Sequence, residues 1–147
     1  MERPVAVIED SDEDYFALRR ALAGSRGELT RYRDGDSALA HLREPNAPWP
    51  AVLLLDLNLP GTSGLDVLRA LRSEPGLRRL PVVVLSGSDR EEDIGEAYAA
   101  GANAYIIKPL EFGQLRHAME SMWAFWNLAL VPRPPSGHDS APGYGLL

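Results

Sequence analysis

The run Ala51-Val-Leu-Leu-Leu-Asp56 decides the fold, because five consecutive apolar residues stop abruptly at a carboxylate. A strand with one solvated face alternates apolar and polar residues, whereas a continuous apolar run is typical of a strand buried on both faces. Similar short runs occur at Val5–Ile8, Val82–Leu85 and Ala104–Ile107. Strands of this kind indicate a parallel sheet that is covered by helices on both sides.

The segments around these strands complete an alternating order of strands and helices. A fifth run, Leu29–Tyr32, is mixed in polarity and suits an edge strand. The intervening segments place apolar residues three and four apart, which is helical spacing. We expect Asp36 to cap the second helix and Gly101 to end the fourth. Right-handed crossovers then predict an α/β fold with five helices and a doubly wound, flavodoxin-like parallel sheet of strand order 2-1-3-4-5.

Length and composition bound the remaining possibilities. The chain has 147 residues, which suits one domain, and we place this domain at residues 1–131. Residues 132–147 are rich in proline and glycine and are predicted to be a disordered tail. A net charge of −6 disfavours nucleic acid as a partner. No apolar stretch is long enough to span a membrane, so we expect no membrane partner. The absence of cysteine fits a cytoplasmic protein.

Polar residues follow four of the predicted strands at the point where each strand ends. They are Glu9 and Asp10, then Asp56, then Ser86, then Lys108. In a parallel sheet these positions share one edge, so three carboxylates, a hydroxyl and an ammonium converge. Crowded carboxylates repel one another unless a cation joins them, and Mg²⁺ accepts a few such oxygens and retains water. The set therefore predicts magnesium-dependent phosphoryl transfer in which Asp56 supplies the attacking oxygen.

Each of these residues alone has a commonplace structural explanation. An aspartate after a strand usually begins a turn or caps a helix, and a Lys-Pro pair is usually part of a loop. The functional interpretation depends on their joint occurrence, in order, at the ends of successive strands. Packing does not require such a concentration of charge at one edge.

Four motifs extend this pattern and carry a resemblance to a family. They are Val7-Ile-Glu-Asp10, Leu54-Leu-Asp-Leu-Asn-Leu-Pro-Gly61, Leu85-Ser-Gly87 and Gly101-Ala-Asn-Ala-Tyr-Ile-Ile-Lys-Pro109. Over about residues 4–130 the chain resembles the response-regulator receiver domains of two-component signalling. The resemblance implies that Asp56 accepts a phosphoryl group from a sensor histidine kinase. It also implies a protein that is not an enzyme beyond its own phosphorylation and dephosphorylation.

The resemblance further assigns roles to the neighbouring residues. Asp10, Asp56 and the backbone carbonyl of Asn58 would bind Mg²⁺, for which Mn²⁺ or Ca²⁺ can substitute, and Glu9 would act through a water molecule. A second set of residues would contact the phosphoryl oxygens or take part in the conformational switch. In that set Ser86 and Lys108 contact the phosphoryl group, Tyr105 is the switch aromatic, and the Lys108–Pro109 bond is cis.

The last helix is predicted to be long, from Glu111 to Leu130, with one apolar stripe at helical spacing. That stripe contains Leu115, Met119, Met122 and Trp126. One interpretation is that the stripe is core and the remaining residues cover a loop. The alternative is that the aromatic residues Trp123, Phe125 and Trp126 form an exposed surface for a homodimer or another partner. No output domain follows the helix in this sequence, so we expect a single-domain regulator that signals in trans.

A narrower resemblance concerns three other features. They are the run Leu85–Ile94, the proline-bearing loop Glu44–Pro50 and the Phe125-Trp126 pair. These features resemble the phytochrome-associated response regulators, which are small single-domain partners of light-sensing histidine kinases. The resemblance implies that a phytochrome is the cognate kinase and that the protein dimerises.

Three alternatives share some of these features. A haloacid-dehalogenase-like phosphatase also uses a magnesium-bound aspartate, but it needs a second acid two residues later, where this chain has Asn58. A pseudo-receiver that takes no phosphate usually lacks part of the acid set, which is complete here. Flavodoxin-like flavin binding requires a phosphate-cradling loop after the first strand, where Glu9 and Asp10 would repel a phosphate.

Overall fold

The computed structural model describes residues 3–24 and 29–130 of the chain. The predicted tail at 132–147 lies outside the described residues, as does the predicted end of the domain at residue 131. The strands are β1 (Val5–Ile8), β2 (Leu29–Tyr32), β3 (Val52–Leu55), β4 (Val82–Ser86) and β5 (Ala104–Ile107). The helices are α1 (Asp12–Ala21), α2 (Gly35–Leu42), α3 (Gly64–Ser73), α4 (Glu91–Ala100) and α5 (Phe112–Leu128).

The five strands form one parallel sheet in the order β2-β1-β3-β4-β5, which confirms the predicted fold. Residues of β1, β3 and β4 are buried along their whole length. Successive side chains point to opposite faces of the sheet, so each central strand contributes to two cores. This double burial explains why the central strands are continuous apolar runs in the sequence.

Each face of the sheet packs against its own helices. On one face, Ile8, Leu55 and Val84 pack with residues of α2, α3 and α4. On the other face, Val7 and Leu54 pack with residues of α1 and α5. The two cores lie back to back, and the sheet between them is the rigid element that holds the strand ends in place.

Helix caps fix the chain where it leaves the edge of the sheet. Ser11 caps α1 and Ser63 caps α3, and each side chain accepts a bond from a backbone N–H three residues later. The cap of α2 is Asp34 rather than Asp36, because the carboxylate of Asp34 accepts the backbone N–H of Ser37 at 2.8 Å. The predicted end of α4 is confirmed, since Gly101 has a φ of 113°, a left-handed conformation that suits glycine.

The last helix ends at Leu128, and its aromatic residues differ from the prediction. Trp123 is only 6% exposed and lies in the core with Leu18 and Leu22 of the α1 region, so its assignment to an exposed surface was wrong. The physical reason is that α1 packs against the flank of α5, which widens the buried stripe beyond the predicted spacing. Trp126 is half-buried, whereas Phe125 is 61% exposed and contacts Trp126 edge-on with ring centroids 4.9 Å apart.

Candidate functional site

The acidic residues meet because β1 and β3 are adjacent and in register. Ile8 pairs with Leu55, so the residues that follow the two strands lie side by side at the carboxyl edge. Oxygen atoms of Glu9, Asp10 and Asp56 all lie within 4.8 Å of one another. Glu9 is 2% exposed, whereas Asp10 is open to solvent. The structure therefore brings together the three carboxylates that the sequence predicted.

The carboxylate of Asp56 is held in a defined orientation by the loop that follows it. One oxygen, Oδ1, accepts the backbone N–H of Asn58 at 3.0 Å. The loop then turns back, and the backbone N–H of Gly64 donates to the carbonyl of Leu57, just beyond the end of β3. A Cβ atom at Gly64 would lie 2.4 Å from the carbonyl oxygen of Asp56, so only glycine permits this close approach.

Lys108 reaches the acidic cluster from the far side of β4. Its backbone N–H donates to the carbonyl of Ser86 at 2.7 Å, which anchors the start of its side chain. The ammonium Nζ donates to Glu9 Oε1 at 3.3 Å and to Asp14 Oδ2 at 3.2 Å, and it lies 3.9 Å from Asp56 Oδ2. The predicted convergence of an ammonium on the carboxylates is therefore present.

The predicted cis bond between Lys108 and Pro109 is wrong. The described residues contain no cis peptide bond, so this bond is trans. The trans form of an X-Pro bond is favoured intrinsically by about 0.5–1 kcal/mol. The anchored backbone already directs the lysine into the cleft, so the orientation of the side chain does not require the less stable isomer.

Asp14 is a residue of this cluster that the sequence interpretation missed. It lies in the first turn of α1 with Asp12 and Glu13, a position where acids are common because they suit the helix dipole. Because the helix dipole is a sufficient reason for an acid at this position, the residue type alone offered no cause to expect a contact with Lys108. The available signal was its place in the first turn of the helix that directly follows Glu9 and Asp10 in the chain.

The charges at this edge are unbalanced. Burial raises the pKa of Glu9, and the nearby charge of Asp56 adds to this effect, although Lys108 opposes it. Burial alone would lower the pKa of Lys108, but the charges of Asp56 and Glu9 and the bond to Asp14 outweigh it and raise the pKa. One ammonium therefore faces several carboxylates, an arrangement that fits a hard divalent cation with oxygen ligands.

Ser86 and Tyr105 are connected through one loop residue, Ser88. Ser86 is buried at the end of β4, and its Oγ accepts the backbone N–H of Ser88 at 3.2 Å. The hydroxyl of Tyr105 donates to the carbonyl of Ser88 at 2.8 Å. The side chain of Ser88 donates to Asp93 in the first turn of α4. Two hydrogen bonds, both made by Ser88, thus link the hydroxyl of Ser86 to the half-buried ring of Tyr105.

Comparison with known proteins agrees with this geometry. The response regulator receiver domain family matches residues 5–120. The chain is 35% identical to the response regulator Rcp1 of Synechocystis, over 83% of this chain and 87% of Rcp1. It is also 35% identical to a probable methanogenesis regulatory protein, FilR2, of Methanothrix harundinacea, over 87% of this chain and 88% of FilR2. The chain belongs to the response regulator receiver domain family.

Solved structures give the same result. The phosphorylated cyanobacterial phytochrome response regulator RcpA superposes with a TM-score of 0.84 at 38% identity, covering 90% of this chain and all of RcpA. RPA3017, from red light signaling of R. palustris, gives 0.83 at 37% identity, covering 89% of this chain and 99% of RPA3017. The Mn²⁺-bound form of Rcp1 gives 0.81 at 33%, covering 89% of this chain and 99% of Rcp1.

Membership of the family establishes the class of activity. A receiver domain accepts a phosphoryl group from a kinase at a magnesium-binding acidic site, and it is a signalling module rather than a member of an enzyme family. This family membership argues against the phosphatase and flavin-binding alternatives. The pseudo-receiver alternative lies within the same family. No helix among residues 3–24 and 29–130 has the length and apolar character needed to cross a bilayer.

The raised pKa of Glu9 predicts a pH-dependent change in stability. Between the ordinary glutamate pKa of about 4.3 and the higher folded value, the folded protein binds more protons than the unfolded chain. The free energy of unfolding should therefore fall as the pH rises through this interval. We expect Glu9→Gln to be more stable than the parent at pH 7 in a metal-free buffer, and to lose this advantage below about pH 4.

Urea denaturation with a chelator present, from pH 4 to pH 7.5, measures this difference. Repeating the series with Mg²⁺ provides the control, because a cation that favours ionised Glu9 should stabilise the parent more than the variant. An unchanged difference between the two proteins at every pH would contradict the prediction.

Proposed function

We propose that Asp56 is the residue that carries the phosphoryl group. The observation that supports this assignment is that Asp56 belongs to the acidic cluster and also lies 3.9 Å from the ammonium of Lys108. Glu9 lies near the same groups, but it is almost completely buried. The side chain of Asp56 is 12% exposed and is therefore more accessible to a donor than that of Glu9. Asp10 is open to solvent but is not among the described residues that contact Lys108 within 4 Å.

The proposed reaction is a single group transfer. A carboxylate oxygen of Asp56 attacks the phosphorus of a phosphohistidine on the kinase, and an O–P bond forms as the P–N bond breaks. The imidazole leaves with the electron pair of the broken bond and takes a proton. The product is an acyl phosphate on Asp56, which water can later hydrolyse. Both steps are assisted by groups of this chain.

Two groups of ligands support the transfer. Asp10, Asp56 and the backbone carbonyl of Asn58 would hold Mg²⁺, with Glu9 acting through water. The bound ion supplies positive charge that offsets the negative charge of the phosphoryl oxygens. Lys108 supplies a second positive charge, and the hydroxyl of Ser86 donates to a phosphoryl oxygen once it arrives.

The contacts of Ser88 suggest how the signal leaves the site. If Ser86 turns toward a phosphoryl oxygen, its Oγ can no longer hold the backbone N–H of Ser88 in the same way. The carbonyl of Ser88 bonds to Tyr105 and its side chain bonds to Asp93 of α4. A shift of Ser88 would therefore change the populations of Tyr105 and α4 conformations, which is the proposed switch.

The proposed donor is a phytochrome histidine kinase, and the proposed site of action is the cytoplasm. The support for this donor is the similarity to RcpA, described as a phytochrome response regulator, and to RPA3017, described in red light signaling. Each of these chains is covered almost completely by this one. We therefore propose that the receiver domain signals by binding a partner in trans.

The assignment of Asp56 is tested with acetyl phosphate and Mg²⁺. We expect intact-mass measurement to show one added phosphoryl group on the parent and none on Asp56→Asn. The matched control is Asp66→Asn, because Asp66 is an exposed aspartate of α3 paired with Arg69, away from the cluster. A phosphoryl group that persists in the Asp56 variant would refute the assignment, and no label on the parent would favour a pseudo-receiver.

We also propose that two copies of the chain pair through the exposed end of α5. Phe125 and Leu128 are three residues apart, so they are neighbours on the helix surface. They are 61% and 81% exposed, which is unusual for large apolar side chains. Two-fold pairing would bury both residues against the same residues of the second copy. Trp123 has no part in this surface because it lies in the core.

Sedimentation velocity tests the pairing. We expect Phe125→Glu to shift the protein toward monomer, because the carboxylate would be desolvated at the interface. The control is Asn127→Glu, an exposed position of the same helix that adds the same charge. Unchanged association of the Phe125 variant, or an equal shift in both variants, would count against this surface.

A further inference from the structure

We infer that Asp14 is a positioning residue that holds Lys108 away from Asp56 and competes with the phosphoryl group for its ammonium. This inference rests on the proposed role of Asp56. Lys108 Nζ lies 3.2 Å from Asp14 and 3.3 Å from Glu9, but 3.9 Å from Asp56. The first two contacts are within hydrogen-bond distance and the third is not. The lysine is thus bound nearer to Asp14 than to Asp56.

Both partners of this contact are held by their backbones. The backbone N–H of Asp14 bonds to the capping Oγ of Ser11 at 3.2 Å, which places the carboxylate in the first turn of α1. The backbone N–H of Lys108 bonds to the carbonyl of Ser86. The ion pair therefore joins α1 to the loop after β5 across the mouth of the cleft. The two backbone bonds fix where the side chains begin, so the fold places the two charges within reach of each other.

The neighbouring acids of α1 do not share this role. Asp12 bonds to Arg31 at 2.8 Å and to Arg33 at 2.9 Å, so its charge is engaged on the other side of the helix start. Glu13 is exposed. Within the described residues, the carboxylates within 4 Å of Lys108 Nζ belong to Glu9, Asp14 and Asp56. Asp14 is 45% exposed, so its contact with the lysine can be exchanged for water.

This arrangement has a definite consequence for the phosphoryl group. A phosphoryl group on Asp56 presents strong acceptor oxygens and negative charge to the same ammonium. Lys108 must give up part of its bond to Asp14 in order to reach them, and the charge of Asp14 repels the group at the same time. Asp14 therefore lowers the affinity of the site for a phosphoryl group, and removing its charge should raise that affinity.

The test uses beryllofluoride, a non-covalent mimic of the phosphoryl group, with Mg²⁺ and the full chain in isothermal titration calorimetry. We expect Asp14→Asn to bind it about threefold to fivefold more tightly than the parent, the scale of one partly exposed ion pair. The gain should shrink at high salt, because exposed charges are screened. A substitution that merely destabilised the structure would weaken binding. A gain in affinity therefore distinguishes competition by Asp14 from a general structural effect.

Two controls make the result decisive. Glu13→Gln removes the same charge one residue away, and we expect its affinity to stay within about 1.5-fold of the parent. Unchanged or weaker binding by Asp14→Asn, or an equal gain in Glu13→Gln, would overturn the role of Asp14 while leaving Asp56 as the acceptor. No binding by the parent itself would overturn both, and binding that survives Asp56→Asn would refute the proposed acceptor.

Discussion

The ammonium of Lys108 faces three carboxylates at the carboxyl edge of the sheet, and this unequal balance of charge governs the site. The carboxylates come from the ends of β1 and β3 and from the first turn of α1. One positive charge cannot neutralise the cluster. The site therefore suits an additional cation, and it suits a reaction that delivers a group needing positive charge around it.

The two-sided core makes this concentration of charge tolerable and useful. Strands buried on both faces hold their ends in register. The packing of the two cores therefore offsets the repulsion among Glu9, Asp10 and Asp56. The loop after β4 is held by hydrogen bonds that can be exchanged. Ser88 is held by hydrogen bonds to Ser86, Tyr105 and Asp93. A rigid sheet beside a loop with exchangeable bonds is the arrangement that the proposed switch requires.

The sequence predicted best those features that follow from periodicity. Continuous runs gave the central strands, and strand order placed Asp56 beside Glu9 and Lys108, because both follow from burial and right-handed connections. Features that depend on how helices pack against one another were less predictable. Trp123 lay off the expected stripe of α5, and only the docking of α1 on that flank shows that it is buried. Asp34 and Asp36 are equally plausible caps by residue type, and the backbone conformation alone distinguishes them. Asp14 was hidden by a sufficient local explanation, since acids are common at helix starts.

The central claim is that a phosphoryl group is carried as an acyl phosphate on Asp56, and reductive trapping tests it most directly. Borohydride reduces an aspartyl phosphate to homoserine, so peptide mass spectrometry after treatment of the phosphorylated protein locates the modified residue. The account predicts homoserine at position 56, with Asp10 and Asp14 unchanged. Homoserine at another aspartate, or a phosphoryl group that resists borohydride and is found on Ser86, would contradict it.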